Sequence, residues 1–191
     1  MPTNVNRIGL KRIVAVTIVL IGISLMARPL YHLSRRLYIA VKSEHIWADT
    51  LLAKTTILHN GAPTVWLRIE KAGVDSLILS GANNTNLSKF PSCHSDYATP
   101  GNDRLSVILG HRDTHFSQLY KVNEGATINL QTRHGEWKNY RVINTQIIDK
   151  DLVPNLMNCR QDDNKLALMT CYPFNYIGPA PKRFIVWADP V

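Results

Sequence analysis

The chain has 191 residues, 45% of them apolar, which suits one domain with a full core plus an attached segment. Its net charge of +8 is unevenly spread: Arg7, Lys11, Arg12, Arg28, Arg35 and Arg36 face no acidic residue before Leu37, whereas sixteen basic and fourteen acidic residues follow. The basicity belongs to the N-terminus rather than to a folded module, which argues against a nucleic-acid partner and fits a membrane flank. The three cysteines, Cys93, Cys159 and Cys171, form no Cys-x-x-Cys pair and no zinc-ligand spacing.

Met1 to Asn6 is polar and reads as unstructured. Ile8 to Leu30 is the membrane candidate, with an uncharged apolar core, Ile13 to Ala27, of fifteen residues. A full span needs about 20 residues, and snorkelling of Lys11, Arg12 and Arg28 extends the core towards that length. Met26-Ala27-Arg28-Pro29 is a poor cleavage site, so residues 1–30 are expected to be an uncleaved anchor. Basic residues flank both ends, so charge alone does not orient it. Leu30 to Lys54 reads as a helix with Tyr31, Ser34, Leu37, Tyr38, Val41, His45 and Ala48 on one face. Asn60-Gly61-Ala62-Pro63 ends it, and residues 31–63 are read as a juxtamembrane helix and linker.

From Thr64 the texture changes to strands. Val65 to Ile69 alternates, Lys71 to Asp75 is a turn, and Ser76 to Ser80 is a short apolar run. Gly81 to Pro91 is an Asn-rich loop and Thr99 to Asn102 a turn. Leu105 to Leu109 is a strand ended by Gly110-His111, and Thr114 to Tyr120 fits one short helical turn. Ala126 to Leu130 and Glu136 to Ile148 are strands around a turn at His134-Gly135, and Leu152 to Asp163 is a polar connection. Leu166 to Thr170 and Arg183 to Trp187 close the chain. Many short strands with turns about every ten residues predict an all-β barrel or sandwich over residues 64–191.

The last two strands are consecutive, so antiparallel pairing sets Cys171 near Arg183. A thiol beside a permanent cation is a candidate nucleophile that still needs a proton carrier. Of the seven histidines, His32, His45 and His59 precede the β region and His134 sits in a turn, while His94 and His115 stay open as candidates, the first surrounded by loops and the second following a turn. His111 alone follows a five-residue apolar strand and a glycine, at a strand end as Cys171 does. Taken singly, each of these residues has a structural reading as well.

The segments VILGHRDTHF, LALMTCYPF and PKRFIVWA carry His, Cys and Arg in that order. Together they resemble the sortases, membrane-anchored cysteine transpeptidases, and HRDTHF and TCYPF resemble the proteobacterial branch in particular. The resemblance covers about Thr64 to Val191. It implies a closed eight-stranded β-barrel, with His111, Cys171 and Arg183 as catalytic residues and Thr170 matching the threonine before the cysteine. The family often has threonine where Ala167 stands, a departure read as facing away from the chemistry. Pro91-Ser92-Cys93-His94 stands where Gly-Pro-Gly-His is common, so His94 is expected to line the site, with Cys93 in place of a glycine. Arg112 is counted among the substrate-binding residues with His94 and Thr170.

The resemblance also implies partners: a surface or secreted protein with a C-terminal sorting signal like Leu-Pro-x-Thr-Gly, an amine acceptor, and a membrane. It implies an extracytoplasmic, periplasmic catalytic domain anchored in the inner membrane by one N-terminal helix. Alternatives are an endopeptidase that only hydrolyses, an inactive peptide-binding module, and a zinc site from Cys93, His94, His111 and Cys171. No cofactor and no metal are expected. A disulfide between Cys93 and Cys159 stays open, since spacing does not decide it.

Overall fold

The structure is a computed structural model that describes residues 5–53 and 60–191. Residues 1–4, within the segment read as unstructured, and 54–59, including Lys54 and His59, lie outside the described residues. The chain divides into two compact units, one ending at Val41 and the other spanning Lys42–Val191.

The two N-terminal helical segments are one element, α1 (Val5–Ala53), and it runs through Pro29 without ending. A proline inside a helix removes one hydrogen bond and strains the turn before it. Within α1, Arg12–Tyr31 is 20 residues, long and apolar enough to cross a membrane.

In the second unit, the face of α1 that packs is not the one expected. His45 and Ala48 are exposed, whereas Ser43 and Trp47 are buried and Thr50 is half-buried. One aromatic decides this. The Trp47 indole lies 6.3 Å from that of Trp66, and its Nε1 donates to Gln131 Oε1 at 2.9 Å. A ring that buries this much surface and satisfies its N–H outweighs small residues spaced at helical steps.

Eight strands follow: β1 (Pro63–Ile69), β2 (Val74–Ser80), β3 (Ser92–Cys93), β4 (Ser106–Leu109), β5 (Thr127–Thr132), β6 (Trp137–Asp149), β7 (Leu166–Tyr172) and β8 (Lys182–Pro190). They close into a barrel in the order β1-β2-β3-β4-β7-β8-β6-β5, so the expected barrel is observed. Two pairs, β2–β3 and β4–β7, are parallel and the rest antiparallel. The Asn-rich loop contains one short helical stretch, α2 (Asn84–Leu87), capped by the Asn83 side chain. The polar connection before β7 contains α3 (Val153–Asn158).

Side chains alternate between two apolar layers. Leu166 and Leu168 of β7, Ile108 of β4 and Phe184 and Val186 of β8 enter the barrel interior. Ala167 and Met169 of β7, Val107 of β4 and Ile185 and Trp187 of β8 form a second cluster outside it, with Met157 of α3. β7 is therefore covered on both faces, which is why its sequence reads as a continuous apolar run rather than an alternating one. Trp187 is fixed by an Nε1 bond to Gln146 Oε1 at 3.3 Å and by the Arg160 guanidinium 4.9 Å from its ring centre.

The end of β4 is shaped by Gly110. A Cβ there would stand 2.6 Å from Cδ2 of Phe116, a fully buried ring. The Phe116 N–H donates to the His111 carbonyl at 2.9 Å, so the chain after β4 folds back and seats this ring against the glycine. Cys93 is buried within the barrel interior and Cys159 is exposed, and both are free thiols. Burial pushes the Cys93 thiol from 9.0 up to about 12.

Two outcomes are expected. Gly110→Ala forces the Phe116 ring or the backbone aside and should cost about 1–3 kcal/mol, read from denaturant midpoints. The second concerns alkali. Between pH 9 and about 12 the unfolded chain has lost the Cys93 proton while the folded chain keeps it, so stability falls as pH rises. Stability of the natural chain should fall more steeply above pH 9 than that of Cys93→Ala, by up to about 1.4 kcal/mol per pH unit. Parallel stability curves from pH 7 to 10.5 would contradict the buried-thiol assignment.

Candidate active site

The register of three neighbouring strands builds the site. β4 and β7 run parallel with Leu109 beside Met169, and the Gly110 N–H continues the ladder to the Met169 carbonyl at 3.2 Å. Two residues past the end of β4, His111 falls level with Cys171 on the extension of this register. On the other side of β7, Cys171 is directly opposite Arg183 of β8. Ala167, Met169 and Ile185 share the outer layer, so alternation sets Cys171 and Arg183 on that same face, at its open end. His111, Cys171 and Arg183 thus fall in one cross-strand row, with strands about 4.8 Å apart.

The row is clipped from behind. Thr170 is buried, and its Oγ1 donates to the Gly110 carbonyl at 2.7 Å. This bond ties the residue before the cysteine to the residue before the histidine. Thr170 faces the interior, as Leu166 and Leu168 do, so the structure places it behind the row rather than on the open face. Ala167 is a correction. Four residues before Cys171, it shares the cysteine's face, where it is fully buried in the outer cluster. Positions that differ by an even number lie on one side of a strand, and the reading of Ala167 as facing away breaks that rule.

Arg183 is half-buried, and its Nη1 donates to the carbonyls of Ala180 at 3.2 Å and Lys182 at 2.9 Å. Cys171 is partly accessible and His111 is exposed. Arg112 turns towards the connection between β7 and β8. Its Nη2 donates to the carbonyls of Tyr176 at 2.7 Å and Gly178 at 3.0 Å, and its guanidinium lies 5.7 Å from the Tyr176 ring centre. Tyr172 and Phe174 pack against the interior cluster at this end of the barrel, with Phe174 5.5 Å from Phe184 and 5.3 Å from Tyr120. They are packing residues, whereas Tyr176 belongs to the arginine contact.

His94 does not join the row. Its backbone N–H donates to the Val107 carbonyl, four residues back along β4 from His111, a separation of about 13 Å at strand rise. Its ring meets Tyr97 at 5.1 Å, and its Nδ1 accepts from the Asp96 N–H at 3.3 Å. It lines an open cleft of about 430 Å³ with Asn60, Ser80, Gly81, Ala82, Asn83 and Ser95. Cys93, buried in the barrel interior, and Cys171, on the outer face, do not converge with His94 and His111 on a tetrahedral site.

His115, an open candidate in the sequence, stacks 6.4 Å from His111 at an interplanar angle of 23°. Its Nε2 lies 3.0 Å from the Lys89 carbonyl; as a carbonyl only accepts, this nitrogen carries the proton. The signal was available: the two histidines stand four apart in HRDTH.

The sortase domain family matches residues 67–191. Sortase D of Bacillus subtilis (strain 168) is 33% identical over 125 residues, which are 65% of this chain and 62% of that protein. The chain thus matches less than two thirds of that relative's length. Among solved structures, a Clostridium perfringens sortase D5 transpeptidase shares the fold with a TM-score of 0.65 at 19% identity, over 83% of this chain and 99% of that one. The catalytic domain of B. anthracis SrtD is 31% identical with a TM-score of 0.59, over 72% and 92%. A C. perfringens sortase C, solved with the C-terminal cell wall sorting motif, gives 0.61 at 18% identity, over 82% and 89%. With the family matched across the whole β region from Leu67 onward, and the barrel and its His–Cys–Arg row in place, this chain belongs to the sortase family.

Proposed function

We infer that this chain is a sortase-type cysteine transpeptidase that cleaves a C-terminal sorting signal of a partner protein and transfers the acyl part to an amine. The cross-strand row of His111, Cys171 and Arg183 carries this reading. The Cys171 thiolate attacks the scissile carbonyl, and the carbonyl π electrons move onto oxygen. Arg183 donates a charge-assisted bond to that oxyanion from beside the sulfur, where its cation cannot be lost. His111 as imidazolium gives its proton to the leaving amine, the C–N bond breaks, and a thioester remains. The incoming amine then attacks the thioester while His111, now neutral, takes its proton and Cys171 leaves as thiolate. Every proton and electron pair is accounted for by these groups and the two peptides. Water in place of the amine gives hydrolysis, so endopeptidase activity is the second reading for the same residues.

The substrate signal proposed is Leu-Pro-x-Thr-Gly-like, cut after Thr. It rests on family resemblance and on the relative solved with a sorting motif. The placement in a proteobacterial branch rests on HRDTHF and TCYPF. The apolar Arg12–Tyr31 stretch supports a single-pass N-terminal anchor, and the inner membrane and the extracytoplasmic side of the catalytic domain rest on the family resemblance. Thr170 acts behind the row through Gly110, holding His111 and Cys171 in step. His94, about four strand residues away along β4, contributes only to a substrate long enough to reach its cleft.

Mass spectrometry of the full chain in detergent, with a sorting-signal peptide and an amine donor, separates transfer, hydrolysis and mere binding. The natural chain should show a thioester adduct and a transfer product. Cys171→Ala should show neither, and an active Cys171→Ala would sink the assignment. Arg183→Ala should lower the turnover rate about 10²–10³-fold, the loss typical of one oxyanion donor. Cys93→Ala should keep most activity, because that thiol is buried inside the barrel.

A further inference from the structure

Two arginines flank Cys171 in the fold, one following His111 and the other opposite the cysteine on β8. Both point their donors at the same connection, residues 173–181. Arg112 Nη2 holds the carbonyls of Tyr176 and Gly178, and Arg183 Nη1 holds those of Ala180 and Lys182. Phe174 and the buried Ala180 anchor its two ends, and its middle lies open. Asn175 through Pro179 are exposed, Ile177 fully so. Among the described residues, its only backbone–backbone bond outside the strand ladder runs from the Lys150 N–H to the Pro181 carbonyl at 3.0 Å. Arg112 is also held at its head: its Nη1 is occluded from solvent, and its guanidinium carbon lies 5.7 Å from the centre of the Tyr176 ring.

We propose that Arg112 is a positioning residue: by clamping the β7–β8 connection it keeps the Ala180 carbonyl under the Arg183 guanidinium, and so holds Arg183 beside Cys171 before substrate arrives. The inference rests on the transfer reaction proposed above. A planar fork with several fixed donors suits this task, because one nitrogen bridges two carbonyls while the guanidinium lies near an aromatic ring. Arg112 thereby acts on the oxyanion through Arg183 and not by touching the peptide.

The test compares the full chain in detergent with Arg112→Ala, Arg112→Gln, Arg183→Ala and the Arg112→Ala/Arg183→Ala double variant. Hydrogen exchange of the Lys150 amide, which donates to the Pro181 carbonyl of the connection, should speed up about tenfold in both Arg112 variants, with the β7 and β8 amides unchanged as the check on folding. Single-turnover acylation of Cys171 at saturating sorting-signal peptide should fall about tenfold, with the half-saturating concentration within about twofold. In the Arg183→Ala background, removing Arg112 should cost nothing further. Unchanged exchange of the Lys150 amide overturns the clamp. Additive losses in the double variant overturn action through Arg183. A loss confined to half-saturation, with the saturated rate intact, assigns Arg112 to direct substrate contact instead and overturns the proposal. If the natural chain forms no acyl-enzyme, the transfer reading fails by itself, and the exchange measurement alone decides whether Arg112 holds the connection.

Discussion

The hydrogen-bond ladder across β4, β7 and β8 is the constraint on which the rest depends. A cross-strand row is the one arrangement in which residues from three distant segments share a face at fixed spacing. The ladder is also unforgiving. A slip of β7 by one residue would send Cys171 into the barrel and bring Thr170 out. Thr170 opposes such a slip through its bond to the Gly110 carbonyl, and the Phe116 ring, seated against Gly110, fixes where β4 stops. Register, clip and turn therefore act on the same few atoms.

Rigidity and adjustability are divided along the site. His111 and Cys171 stand at the ends of strands packed between the barrel interior and the outer cluster under α3, so their supports have little room to move. Arg183 has a strand-held backbone, but its guanidinium reaches carbonyls of an exposed connection. Cys171 and His111, the proposed nucleophile and proton carrier, stand on core-packed supports, whereas the Arg183 guanidinium, the proposed oxyanion donor, is aimed by a segment that has its own tether.

The three cysteines show how far environment outweighs residue type. Cys93 lies inside the barrel, where desolvation holds its proton to about pH 12. Cys159 is exposed at the end of α3 and Cys171 is partly accessible at the end of a strand, beside a cation. Only Cys171 combines access with a partner for developing negative charge. The position where relatives often carry glycine before His94 is occupied by a thiol that serves as a small core residue.

Much of this was legible from the chain itself. Seven of the eight strands, the pairing of Cys171 with Arg183 and the place of His111 just past a strand follow from short apolar runs, turn residues and the rule that consecutive strands pair antiparallel, all local properties, whereas the two-residue β3 carries no such signal and the count of eight came from the family resemblance. Closure into a barrel and the parallel pairing of β4 with β7 were not local, since fifty-six residues separate Leu109 from Leu166 and nothing in either strand names its neighbour. For the same reason the docking face of α1 was misread: helical spacing pointed to Val41, His45 and Ala48, and the decision belonged to Trp66 and Gln131, which lie far along the chain from Trp47. By itself the sequence singled out His111, Cys171 and Arg183 as candidates for the chemistry and set them at or just past strand ends. Tertiary structure alone decided that His111, Cys171 and Arg183 share one row, that His94 is four strand residues away from it, and that Arg112 grips the β7–β8 connection, because each depends on pairing between segments whose contact costs loop-closure entropy that only the assembled core offsets.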